Sequence, residues 1–113
     1  AFIPYAASSP FHTWIIPRRH EPSFLHVDDE ELAALGDILR KVLRKLYVGL
    51  NDPDFNYVIR TAPLHDAGRD YMHWYVTIIP RVTHSAGFEL GSGMFINTTL
   101  PEESAEFLRD VTD

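Results

Sequence analysis

Apolar residues recur at Leu32, Leu35, Leu39, Val42, Leu43, Leu46 and Leu50, the spacing of one face of an α-helix. A helix of that length carries a stripe about 30 Å long that has to be buried against something else. Its start is marked. Asp28 is a good cap, Glu31 three residues on completes a capping-box-like pair, and Val27 and Leu32 are placed as a hydrophobic staple. Asp28, Asp29, Glu30 and Glu31 fill the first turn, while Arg40, Lys41, Arg44 and Lys45 lie toward the other end. Both signs suit the helix macrodipole. Gly49 is the natural place to stop.

What remains of the chain reads mostly as strands, so the helix has a sheet to lie on. "FHTWIIP" (Phe11 to Pro17) is β-branched and aromatic, and pairs with Phe2 to Ala6. "FNYVIRTAP" (Phe55 to Pro63) and "MHWYVTIIPR" (Met72 to Arg81) form an antiparallel hairpin across the polar connection Leu64 to Asp70. "GFELGSGMFIN" (Gly87 to Asn97) reads as extended and glycine-punctuated. A short final helix starts near Pro101, with Glu102 and Glu103 in its first turn. The expected fold is α+β: an antiparallel sheet of about five strands, one long helix across a face and a short C-terminal helix. With 113 residues, one domain spanning 1–113 is expected.

Composition narrows the function. The net charge of −6 argues against nucleic-acid binding through a basic surface, although a local basic group is enough for one phosphate. No cysteine is present, which removes disulfides and thiolate metal sites and favours a reducing, cytoplasmic setting. No apolar run approaches membrane-spanning length, so no membrane association is expected. The chain opens on "AFIPYAA" rather than on Met, the pattern of a processed chain or of a domain taken from a longer one.

Three stretches could carry chemistry. On the strand Met72–Arg81, His73, Tyr75 and Thr77 form a polar row about 7 Å apart, and Met72, Trp74, Val76 and Ile78 point the other way. A neutral imidazole there could be a nucleophile, general acid or ligand. It could equally be an ordinary sheet histidine satisfied by a carbonyl. Arg18, Arg19 and His20 could hold a phosphate or form a solvated turn, and the turn is the better reading on charge alone. His12, beside Trp14 and Ile16 on one strand face, reads as structural. Gly87, Gly91 and Gly93 permit close backbone approach to a ligand or tight turns, and Glu89 between them could accept hydrogen bonds from sugar hydroxyls. There is no P-loop, nucleophile elbow or helical zinc motif.

Five segments together are more specific. "PFHTWIIPRRH", "LAALGDILRKVLRKLY", "DPDFNYVIRTAP", "HWYVTIIPR" and "AGFELGSGMFINTTLPEESAEFLR" occur in the order found in the C-terminal half of galactose-1-phosphate uridylyltransferases, and the whole chain resembles that half. The resemblance implies a histidine-triad-like domain within a nucleotidyltransferase. Such an enzyme moves a nucleoside monophosphate between a sugar 1-phosphate and a nucleotide sugar. Its nucleophile belongs to a His-Pro-His motif in the N-terminal half. That motif is absent here, so no catalytic residue is expected in this chain and none of the transfer by the chain alone. The implied role is sugar recognition, through Phe88 and Glu89 flanked by Gly87 and Gly91, together with contacts to the N-terminal half and to a second subunit of a homodimer. No cofactor is implied for this domain. Zinc, if present, belongs to the N-terminal half. Relatives often carry histidine where this chain has Arg60 and Tyr75, and some bind a structural metal there. Arg60 is a cation and Tyr75 a poor ligand at neutral pH, so Arg60, His73 and Tyr75 are expected to mark a vestigial metal site. Arg60 and Tyr75 are then expected to fill the vacated space as a hydrogen-bonded pair. The alternative is a degenerate, non-catalytic module that binds a sugar nucleotide or a protein.

Overall fold

The computed structural model describes residues 1–82 and 86–112. Its elements are β1 (Thr13–Ile15), α1 (Asp29–Gly49), β2 (Phe55–Arg60), β3 (Tyr75–Pro80), α2 (Gly87–Ser92) and α3 (Pro101–Asp110). The strands form one antiparallel sheet in the order β1-β3-β2. Among the described residues this is a three-stranded sheet, not one of about five strands.

The two missing strands have local causes. Phe2 meets Trp14 in a single bridge. Pro4 then lacks the N–H that a ladder needs, and the chain turns, with Ala7 N donating to the Pro4 carbonyl at 3.1 Å. The glycine-rich run forms α2 instead of a strand. The Glu89 carboxylate reaches back to accept from Ala86 N at 2.9 Å, and Gly93 closes the helix at φ 72°. These two terminal interactions outweigh the β-propensity of the residues that follow.

α1 starts where its signals place it: Asp28 accepts from Glu31 N at 2.7 Å. Its stripe lies over the Trp74, Val76 and Ile78 face of the sheet. Ile15, Val42, Leu46, Trp74, Val76, Ile78 and Leu108 form the core. Leu32 is half exposed, whereas Ile38 joins the residues packed against the core. Gly49 is the last helical residue, but its role differs from the expected stop. A Cβ there would lie 2.8 Å from Val111 Cγ2 and 2.9 Å from Phe107 Cε1, so the glycine lets α3 approach. The left-handed turn after α1 is made by Asn51 and Asp52, at φ 59° and 57°.

The hairpin β2–β3 runs in register from Phe55↔Pro80 to Arg60↔Tyr75 and then opens. The segment Glu21–Pro22 inserts at its mouth: Trp74 N donates to the Glu21 carbonyl and Ala62 N to the Pro22 carbonyl, both at 3.0 Å. The ladder therefore ends at Arg60 and Tyr75, and His73 stands before β3 rather than within it. No helix among the described residues is long and apolar enough to cross a membrane.

Candidate functional site

The face of the sheet opposite α1 carries the polar row. Thr77 is buried and is in hydrogen-bond contact with His12 Nε2, while His12 Nδ1 lies 3.2 Å from Ser8 Oγ. One protonated ring nitrogen thus donates to one hydroxyl and the other nitrogen accepts from the second. Burial holds the His12 pKa below its ordinary value of 6.5, because the charged ring loses hydration there. Tyr75 stacks on Trp14 with ring centroids 4.3 Å apart. Arg60 is its direct cross-strand neighbour, but among the described residues no hydrogen bond joins the two side chains. Aromatic stacking, not a hydrogen bond, occupies Tyr75. His73 Nε2 donates to the Pro17 carbonyl at 2.9 Å, and His20 Nε2 to the Asp70 carbonyl at 2.7 Å. The two rings meet edge-on at 5.0 Å.

The Arg18–His20 turn is divided rather than gathered round an anion. Arg19 bonds Glu31 at 2.7 Å, Glu21 at 3.2 Å and the His26 carbonyl at 3.1 Å. The Glu31 hydrogen bond is the main reason that its pKa is raised. Glu21 is held below the usual carboxylate range, first by its hydrogen bond with His26 and then by Ser23 N. This knot fixes the loop that feeds Glu21–Pro22 into the hairpin mouth. Beside it lies a cavity of about 370 Å³ between α1 and the ends of β1 and β3, lined by Ile15, Pro17, Leu35 and Trp74 among others. Among the described residues, two buried polar atoms there, Glu31 Oε2 and Trp74 Nε1, have no hydrogen-bond partner.

Phe88 and Glu89 lie on α2. Phe88 is 55% exposed, and Ser92 Oγ donates to its carbonyl at 2.6 Å. Glu89 spends one oxygen on Ala86 N. Among the described residues, apart from their chain neighbours and their own helix backbone, no atom comes within 4 Å of a Cβ built on Gly87 or Gly91. The segment after α2 is moored by Asn97, whose Nδ2 donates to the Ala7 carbonyl at 3.1 Å and whose Oδ1 accepts from Thr99. That tie lands next to Ser8 and its contact with His12. The partners Ser8 and Asn97 escaped sequence reasoning, since single serines and asparagines give no periodic signal; Thr77 was legible on the polar row, but its contact with His12 was not.

No family model matches the chain. It is 41% identical over 111 residues to an ADP-glucose phosphorylase of Arabidopsis thaliana, covering 96% of this chain and 32% of that protein. It is 30% identical over 119 residues to a galactose-1-phosphate uridylyltransferase of Thermotoga maritima, covering 97% and 37% respectively. The crystal structure of an Arabidopsis thaliana ADP-glucose phosphorylase with bound ADP-glucose superimposes at TM-score 0.90 and 38% identity, over 99% of this chain and 37% of that one. A histidine triad nucleotide-binding protein of Sulfolobus tokodaii shares the fold at TM-score 0.64 and 20% identity, over 96% and 73%. The chain spans about a third of the length of the curated relatives first matched. Over nearly all its residues, the chain is homologous to the C-terminal part of the galactose-1-phosphate uridylyltransferases and of the related ADP-glucose phosphorylase.

Proposed function

We propose that residues 1–113 are a single histidine-triad-like domain that recognises the sugar in a nucleotidyltransferase transferring a nucleoside monophosphate between a sugar 1-phosphate and a nucleotide sugar. The observation that carries this reading is the 41% identity to ADP-glucose phosphorylase over 96% of the chain. On this reading the nucleophile lies in an N-terminal half, and the enzyme is a cytoplasmic homodimer. Phe88 and Glu89 contact the sugar: Phe88 offers an exposed ring, and Glu89 keeps one oxygen beyond its cap contact for a diol. The metal site of some relatives is vestigial here. Supporting this, His73 Nε2 is spent on a carbonyl and Tyr75 on Trp14.

Calorimetry of the chain with adenosine and uridine sugar nucleotides tests the proposal. ADP-glucose is expected to bind more tightly than UDP-glucose, following the more similar relative. Glu89→Gln retains an acceptor for Ala86 N and removes the charge, and is expected to weaken binding about tenfold, the scale of one charge-assisted hydrogen bond. Unchanged affinity in both Glu89→Gln and Glu89→Ala would remove Glu89 from the site. A second reading, a non-catalytic binding module, is motivated by Arg60 and Tyr75. It predicts the same binding but no nucleotidyl transfer even when the chain is joined to an N-terminal half bearing the His-Pro-His motif and supplied with sugar 1-phosphate and nucleotide sugar.

A further inference from the structure

The cavity beside the Arg19 knot, about 370 Å³, falls in the size range of small-molecule sites, about 300–1,000 Å³. It lies on the α1 side of the sheet, away from the polar row. Its walls are apolar: Ile15 and Pro17 on one side, Leu35 and Ile38 of α1 on the other. Three polar side chains line it as well. Trp74 is 2% exposed, and its Nε1 has no acceptor among the described residues. Glu31 gives Oε1 to Arg19, while its Oε2 is buried and has no donor among the described residues. Arg18 is exposed, and its side chain forms no hydrogen bond or ion pair among the described residues. Arg19, by contrast, is balanced by Glu31 and Glu21.

A buried N–H without an acceptor is costly, and folded proteins rarely leave one bare. Here the bare N–H and the bare carboxylate oxygen border the same space. They are opposite in kind: the indole donates and the carboxylate accepts. A hydroxyl answers both, because its oxygen can take the indole hydrogen while its own hydrogen goes to the carboxylate. The unbalanced charge at the cavity is that of Arg18, which favours an anion, and a guanidinium grips a carboxylate through paired N–H groups. The aliphatic walls accept a hydrocarbon or aromatic body. We propose that this cavity binds a small hydroxy acid with an apolar body. Its carboxylate rests on Arg18, and its hydroxyl accepts from Trp74 Nε1 and donates to Glu31 Oε2. The proposal goes beyond the sugar site. Among the described residues none of α2 lines the cavity, so either site can fail without the other.

Trp14 and Trp74 are the two tryptophans of the chain, so its nitrogen-labelled correlation spectrum carries two indole N–H signals, assigned by Trp14→Phe. Three probes of nearly equal size separate the contacts: para-hydroxyphenylacetate, phenylacetate without the hydroxyl, and tyrosol without the carboxylate. Para-hydroxyphenylacetate is expected to move the Trp74 indole signal downfield as the N–H gains an acceptor. It is also expected to bind about tenfold more tightly than either comparator, the scale of one hydrogen bond to a charged group. Arg18→Gln, at an exposed position, is expected to erase the advantage over tyrosol while keeping the advantage over phenylacetate. Ala34→Phe, exposed on α1 at the rim of the cavity, narrows the opening without touching the core and is expected to weaken all three probes. The proposal is overturned if no probe moves the Trp74 signal at millimolar concentration, if the three probes bind alike, or if Ala34→Phe leaves binding unchanged. A water contact to the Trp74 indole N–H that persists under saturating acid would assign the space to bridging solvent, and would overturn it too.

Discussion

Three residues bear weight out of proportion to their size. Gly49 is fixed by Val111 and Phe107 across the α1–α3 contact. Gly49→Ala should therefore destabilise the fold by about 1–3 kcal/mol, the usual cost of overpacking, read as a lower urea midpoint. This is less than a fully rigid site would show, because Val111 lies just beyond the end of α3. Leu46, only 2% exposed, should cost about 2–5 kcal/mol as Leu46→Ala. His12 adds a pH dependence. Its folded pKa lies below the unfolded value of 6.5, so its contribution is complete above that value and is lost as pH falls through the folded one. Denaturation midpoints measured from pH 8 to pH 5 should fall in the wild type and fall less in His12→Gln. Equal slopes in the two proteins would show that the His12 contact with Ser8 and Thr77 does not couple protonation to folding.

At the scale of elements, the helices hold one another by an unforeseen device. Lys45 was expected to serve the C-terminal end of its own helix. Instead its Nζ donates to the carbonyls of Leu108, Arg109 and Val111, at 2.9, 3.3 and 2.8 Å, groups that the last turn of α3 leaves without intrahelical partners. Lys45→Met keeps most of the apolar stem and removes these bonds, and should cost about 1.5–3 kcal/mol. Amide exchange should rise first in α3, while α1 keeps its protection. How much of this was readable depends on distance along the chain. The start of α1, the Pro101 start of α3 and the buried Trp74, Val76 and Ile78 face follow from residues within a few positions of each other, and the sequence reading found them. The reach of Lys45 to Leu108, the mooring of Asn97 on Ala7 and the role of Gly49 join residues far apart in sequence, and no periodicity encodes them. α2 is local and still not legible: its glycines read as breaks in an extended run, whereas one of them, Gly93, ends a helix that Glu89 helps to start. Because Glu89 also holds Ala86 N, Glu89→Ala acts on α2 and on any ligand at once. The Glu89→Gln comparison separates the two.

For the molecule as a whole, acid should be the weak point. Asp28 is held below the usual carboxylate range chiefly by the Glu31 N–H, and Glu21 chiefly by His26. Both contributions are present above the unfolded carboxylate range and are lost as pH falls below it. The start of α1 and the Arg19 loop should therefore loosen together near pH 3–4, and backbone exchange over residues 17–31 should report it before the sheet does. The sheet itself is narrower than the sequence suggested, and its readable part is the hairpin. The split at the hairpin mouth was not readable, because Glu21 and Pro22 lie about fifty residues from Trp74 in the chain. That insertion has a kinetic consequence. The rungs from Arg60↔Tyr75 outward to Phe55↔Pro80 can zip without help, but Ala62 and Trp74 have no acceptor until a distant loop arrives, a closure that is slow because of its length. The last backbone bonds to form on refolding should thus be those of Ala62 and Trp74. Pulse-labelled exchange should catch an intermediate in which the middle of the hairpin is already protected and its mouth still stands open.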